Sequence, residues 1–184
     1  KDAKALVAAA KKSPGTLTYS TWGNGSLAHV AMANLAHQVG MDMLHVPYQG
    51  AAPALTGLLG GQVDATVLPL NMAAANAAGG KLRILGTMTT TRVEPDIPCL
   101  TEQGFASEVY NWFGIVAPAK TSKAQIERLS KETMGIVSDP EFVATLKKNS
   151  IETFPASAQD FQSFMQAENA RWKKIMADRK IVQS

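Results

Sequence analysis

The segment Thr18-Tyr19-Ser20-Thr21-Trp22-Gly23-Asn24-Gly25-Ser26-Leu27-Ala28-His29 constrains the fold more than any other part of the chain. Residues 17–21 are β-formers, with two hydroxyls at the strand end. Gly23 and Gly25 admit backbone angles that a side chain forbids. Ser26 is a good N-cap, and Leu27, Val30, Ala31 and Leu35 follow at helical spacing. The segment therefore reads as strand, tight turn and helix. Such a turn presents unpaired N–H groups at the positive end of a helix dipole, a ready anion site. On the residues alone it is equally an ordinary strand-to-helix connection.

The alternation continues along the chain. Residues 3–12 form a short amphipathic helix, ended by Ser13-Pro14-Gly15. After the helix that stops near Gly40, residues 44–48 are a second strand and residues 49–53 a turn. A short helix over 54–59 stops at Gly60-Gly61, and residues 63–68 are a third strand. An alanine-rich helix follows over 71–78, and residues 82–88 read as a fourth strand. This order predicts an α/β fold with a parallel sheet. Ligands of such sheets bind at the carboxyl ends of strands. Three such ends, residues 20–26, 48–51 and 68–72, are expected on one edge.

Beyond Pro95-Asp96-Ile97-Pro98 the texture changes. Residues 110–117 read as a longer strand and the best boundary, a crossover between lobes. Thr121 is the expected cap of a helix with Ile126, Leu129, Ile136 and Val137 on one face. Asp139-Pro140 opens another helix. Ser157 caps a last long one carrying Phe161, Phe164, Trp172 and Ile175.

Composition narrows the function. Hydrophobic residues make up 46% of the 184, and charged residues 18%, which is globular rather than disordered. The net charge is +3, and Lys and Arg are scattered without aromatic interleaving, so no nucleic-acid partner is expected. No apolar run approaches the roughly 20 residues of a membrane span. Cys99 is alone and reads as a small buried thiol. The chain opens at Lys1 without Met, which leads to the expectation of a processed or truncated product.

The glycine turn lacks the Lys-Ser/Thr of a phosphate loop and the third glycine of a dinucleotide fingerprint. No cofactor is expected, and a small anion, a carboxylate above all, remains. Ser20 or Ser26 with His29 could be read as nucleophile and base, but no nucleophile elbow and no acidic orienter accompany them. His37 and His45 read as structural, and the three histidines lack metal-ligand spacing. Asp64 reads as a turn cap, the methionines and Trp112 and Trp172 as core. Trp22 lies inside the turn itself.

Four segments taken together resemble the periplasmic solute-binding receptors of the tripartite tricarboxylate transporter type, the Bug family. They are residues 19–29 above, His45-Val46-Pro47-Tyr48-Gln49-Gly50-Ala51-Ala52-Pro53-Ala54-Leu55-Thr56, Leu59-Gly60-Gly61-Gln62-Val63-Asp64 and Gly80-Lys81-Leu82-Arg83. Trp112-Phe113-Gly114-Ile115-Val116-Ala117-Pro118-Ala119 resembles the family's crossover strand. The resemblance covers essentially the whole chain. It implies a two-lobed, periplasmic-binding-protein-like receptor that closes on a small carboxylate and serves membrane transporter subunits. It also implies a periplasmic location and no enzymatic activity. Residues 1–111 would be the second lobe, and residues 112–184 the crossover strand and returning helices of a first lobe whose opening part precedes Lys1. Ile126, Leu129, Phe161 and Phe164 would then be exposed, inviting association with another chain.

The implied ligand contacts are Ser20, Thr21, Trp22, Gly23, Asn24, Gly25, Ser26 and His29, with Tyr48 and Gly50 after the second strand and Leu68 and Pro69 after the third. The family usually has a small residue where Trp22 stands, often an Asp-Asn pair where Leu68-Pro69 stand, and often Lys or Arg at Gln49. These departures favour a carboxylate with an apolar or aromatic body, with Trp22 as its wall. Trp22 packed away from the cleft on the lobe surface is the other possibility. A module that senses its solute and signals through a partner protein is the main alternative function, and a hydrolase using Ser26 and His29 a further one.

Overall fold

Asp2 opens the first helix because its carboxylate accepts the Ala5 amide, one of the donors a helix start leaves unpaired. In this computed structural model, which describes residues 1–181, helix α1 (Ala3–Lys12) turns Val7 and Ala10 inward. Strand β1 (Thr18–Thr21), helix α2 (Leu27–Val39), strand β2 (Leu44–Pro47), helix α3 (Ala51–Leu59), strand β3 (Ala65–Thr66) and helix α4 (Leu70–Ala77) follow in alternation. The strands form one parallel sheet in the order β2-β1-β3, with Thr18 opposite Leu44 and Tyr19 opposite both His45 and Ala65.

The central strand is buried on both faces, as parallel sheets require. Tyr19 joins the core with Val7, Ala10, Met32, Leu35 and Met43 of the α1 and α2 side. Ser20 points the opposite way, where its hydroxyl donates to the carbonyl of Ala54 on α3. One residue of alternation thus places helices on both faces of the sheet. At the amino edge, Asp64 accepts from the Thr18 amide and hydroxyl at 2.8 and 2.9 Å, and its own amide donates back to that hydroxyl. Asp64 is therefore a clamp between β1 and β3, more than a turn cap.

Several expectations are corrected. Helix α3 starts at Ala51, not Ala54, because Gly50 at φ 121° turns the chain straight into it and Pro53 fits its first turn. Residues 82–88 form no strand. Their backbone pairs with residues 98–103 instead: the Thr87 amide donates to Pro98, the Leu100 amide to Thr87, and the Gln103 side chain to Leu85. Only an isolated bridge joins Thr87 and Cys99 there. Arg92 and the Cys99 amide both bond Glu102; these bonds, that from Cys99 first, lower its carboxyl pKa and staple the loop. Residues 110–117 are irregular rather than a strand, because no described segment runs beside them as a ladder partner.

The remaining helices are α5 (Lys123–Val137), α6 (Pro140–Lys147) and α7 (Ala158–Asp178). Ser122, not Thr121, caps α5, since only Ser122 has Gln125 three residues on to complete a capping box. Asp139 and Ser157 cap α6 and α7 as expected. The chain divides into two compact units, Lys1–Asn111 with the chain end from Ile175, and Trp112–Lys174. In the second unit Trp112 meets Phe161 and Phe164 edge-on, yet is 40% exposed rather than core. Trp172 is half-buried, its indole N–H bonded to Glu168. Leu129 is exposed, whereas Ile126, Phe161 and Phe164 are half-buried. Among the described residues no helix is long and apolar enough to cross a membrane.

Candidate ligand-binding site

Because β1 is central, the chain leaves it to one side for β2 and returns to the other for β3. This is a topological switch point, where the crevice beyond the strand ends lies. Each strand here runs into a helix, so α2, α3 and α4 all begin on that edge. The structure thus brings together the three strand ends expected from the alternation. Their helix starts differ in one respect: α2 is capped by the Ser26 hydroxyl, while Gly50 and Pro69 give α3 and α4 no side-chain cap.

The turn itself is built around two glycines with positive φ, Gly23 at 140° and Gly25 at 67°. Ser26 Oγ donates to the Gly23 carbonyl at 2.7 Å and accepts the His29 amide at 3.3 Å. The Gly25 amide donates to His29 Nδ1 at 3.1 Å. An amide can only donate, so Nδ1 carries the lone pair and the proton sits on Nε2. Among the described residues the amides of Trp22, Asn24, Leu27 and Ala28 have no acceptor. Four donors at the positive end of α2 can hold an anion.

Behind the turn lies a stack of rings. His29 lies over His45 with centroids 3.9 Å apart and planes 15° off parallel, and Tyr19 lies 5.0 Å from His45. His45 Nε2 meets Thr21 Oγ1 at 2.7 Å. Burial lowers the pKa of both imidazoles, and the neighbouring His29 adds to the effect on His45, which falls to about 4. Burial pushes the Tyr19 phenol up to about 12. The stack is therefore uncharged at neutral pH.

Not every expected contact faces the crevice. Ser20 and Thr21 are fully buried. Ser20 bonds Thr66 Oγ1 at 2.8 Å, and Thr21 bonds Gly23 and His45, so both hydroxyls shape the turn from within. The Tyr48 side chain lies on Gly57 of α3 and reaches Gln62, so it too supports from behind. Trp22, Leu68 and Pro69 are half-buried at the edge, and Asn24 is exposed. Trp22 makes no ring contact with another aromatic among the described residues. Neither serine hydroxyl meets an imidazole, so no nucleophile–base pair forms. Among the described residues no cluster of His, Cys, Asp and Glu could hold a metal. The His29–His45 stack escaped the sequence reading because the two residues lie on different elements. Its only trace in the sequence is a histidine in the helix after the turn and another in the second strand.

Known proteins share the sequence and the fold that carry this turn. The chain is 31% identical over 97% of its length to the UPF0065 protein of the tcbD-tcbE intergenic region of Pseudomonas sp. (strain P51), and 32% identical over 94% to a UPF0065 protein of Bordetella pertussis (strain Tohama I). It spans about half the length of these curated relatives, 54% of each. Among solved structures, R. palustris Rpa4515 with adipate superposes with a TM-score of 0.90 at 27% identity, over 98% of this chain and 62% of that one. The periplasmic binding protein BugD, at 24% identity and a TM-score of 0.80, shares the fold over 100% of this chain and 63% of its own. The fold is thus α/β of the periplasmic-binding-protein type. The family model described as "Tripartite tricarboxylate transporter family receptor" (TctC) matches residues 1–181, and the chain belongs to that family.

Proposed function

We propose that the protein is a periplasmic receptor that captures a small carboxylate at the turn of residues 22–26 and presents it to a transporter of the tripartite tricarboxylate type. The observation that carries this reading is the set of unpaired amides of Trp22, Asn24, Leu27 and Ala28 at the start of α2, on the edge where three strands end. Preorganised amides bind a carboxylate without recruiting a charged side chain, and no Lys or Arg stands among the turn residues. Gly50 and the uncapped start of α3 flank the turn on one side, Leu68 and Pro69 on the other. Ser20, Thr21, Ser26, His29 and Tyr48 shape and support it. Closure of the opposite, first lobe on the solute completes capture and excludes water. The catalytic alternative lacks its bonded serine–histidine pair, and binding rather than turnover is the activity.

The solute has an apolar body. Trp22, Leu68 and Pro69 are half-buried on this edge, and their carbon surface suits methylenes or a ring next to the captured carboxylate. The similarity to Rpa4515, solved with adipate, supports a carboxylate whose charged ends are separated by methylenes. Calorimetry of the purified protein against adipate, benzoate and citrate tests this. Adipate or benzoate should bind tightest, and Trp22→Ala should weaken that binding about tenfold, the scale of one buried aromatic contact. Citrate binding tightest would sink the apolar-body reading.

A further inference from the structure

Several features outside the turn offer no ligand chemistry. The cleft beside α5 and α6 is shallow and acidic, and Glu168 is already bonded to Trp172 and Arg171. The ring stack behind the turn goes further. Its bonds reach the two glycines that define the turn. Thr21 Oγ1, held by His45 Nε2, donates to the Gly23 carbonyl at 3.2 Å, and His29 Nδ1 takes the Gly25 amide. The turn is thus pinned at both glycines from one stacked pair.

We propose that His29 is the positioning residue of the carboxylate turn: its neutral imidazole, braced on His45, holds the Gly25 amide and so keeps the Trp22 and Asn24 amides free to face a ligand. This rests on the carboxylate reading above and deepens it, because it names the bond through which His29 sets the turn and makes that bond depend on protonation. It also removes the Gly25 amide from the donors a solute can use. The bond to Gly25 exists only while Nδ1 has its lone pair. A protonated His29 releases Gly25, because Nδ1 then carries a proton and no longer accepts. The titratable groups of the stack are His29 on α2, His45 on β2 and Tyr19 on β1, and the phenol stays neutral. Among the described residues no carboxylate bonds either imidazole to offset a positive charge. Acid therefore unpins the turn, and capture weakens with it.

Two variants separate this role from mere packing. His29→Leu keeps the bulk and loses the acceptor. His29→Asn places a carbonyl oxygen near the position of Nδ1 and cannot be protonated. With adipate as the probe, His29→Leu should bind about tenfold more weakly, the scale of one lost hydrogen bond. His29→Asn should stay within about threefold of the parent. As pH falls from neutral through the lowered His29 range, the parent should lose more affinity than His29→Asn, since protonation of the probe's own carboxyls affects both alike. In the nitrogen-labelled parent, scalar coupling across the hydrogen bond should link Gly25 N to His29 Nδ1 at neutral pH and vanish in acid. Absence of that coupling overturns the proposal, and so does His29→Leu binding adipate like the parent. His29→Asn as weak as His29→Leu overturns it as well. If the parent shows the coupling and binds none of adipate, benzoate and citrate, the carboxylate reading fails and the ligand half of the proposal falls with it.

Discussion

A histidine that accepts a backbone amide must be neutral, and at His29 this single requirement ties the shape of a turn to pH. Both imidazoles of the stack are harder to protonate in the folded chain than in the unfolded one. Below the ordinary value of 6.5 the unfolded chain therefore binds more protons. Stability should be level above that pH and fall as pH drops from 6.5 toward about 4, the value His45 reaches. Denaturant titrations across this range check the direction, and replacing His45 by Gln should flatten the slope. Stability rising in acid would contradict the stack. At Gly25, φ of 67° makes any side chain costly. Gly25→Ala should destabilise by about 1 kcal/mol, read from the denaturation midpoint.

At the scale of elements, the local signals written into a few residues were legible in the sequence. Asp139 and Ser157 announce helices that form, and the Gly23–Ser26 turn forms where its glycines and cap stand together. Elements that depend on partners were not legible. Residues 82–88 carry strand-like composition, but Gln103 and Pro98 take their backbone groups. Residues 112–117 are apolar enough for a strand, yet a strand needs a ladder. Phe113, Ile115 and Val116 are 84%, 71% and 73% exposed, on a backbone without a sheet neighbour among the described residues. Such a segment pairs with whatever edge it meets. The 184-residue chain by itself should therefore self-associate in light scattering. Replacing Phe113 and Val116 by Asp should shift it toward monomer, and a monomeric parent would contradict the reasoning. A side chain at Gly114 would overlap the Phe161 ring, so Gly114→Ala should also loosen the second unit.

For the molecule as a whole, strand order sets where the candidate turn lies. The sequence alternation implied a parallel sheet and one functional edge, and the order β2-β1-β3 puts the glycine turn at its switch point. The family followed from motif order rather than from any one motif. The inward use of Ser20 and Thr21 could not be read in advance, because hydroxyls on a buried central strand choose between solvent and neighbour only once the neighbours are placed, and the seat of Tyr48 on Gly57 depends on where α3 packs. The account stands on amides left unpaired at the start of α2. The most direct test is to titrate nitrogen-labelled protein with adipate at neutral pH and follow each backbone amide. The account predicts the largest shifts at Trp22, Asn24, Leu27 and Ala28, with Gly25 moving less because His29 holds it. Shifts that leave these four amides untouched while moving others would contradict it.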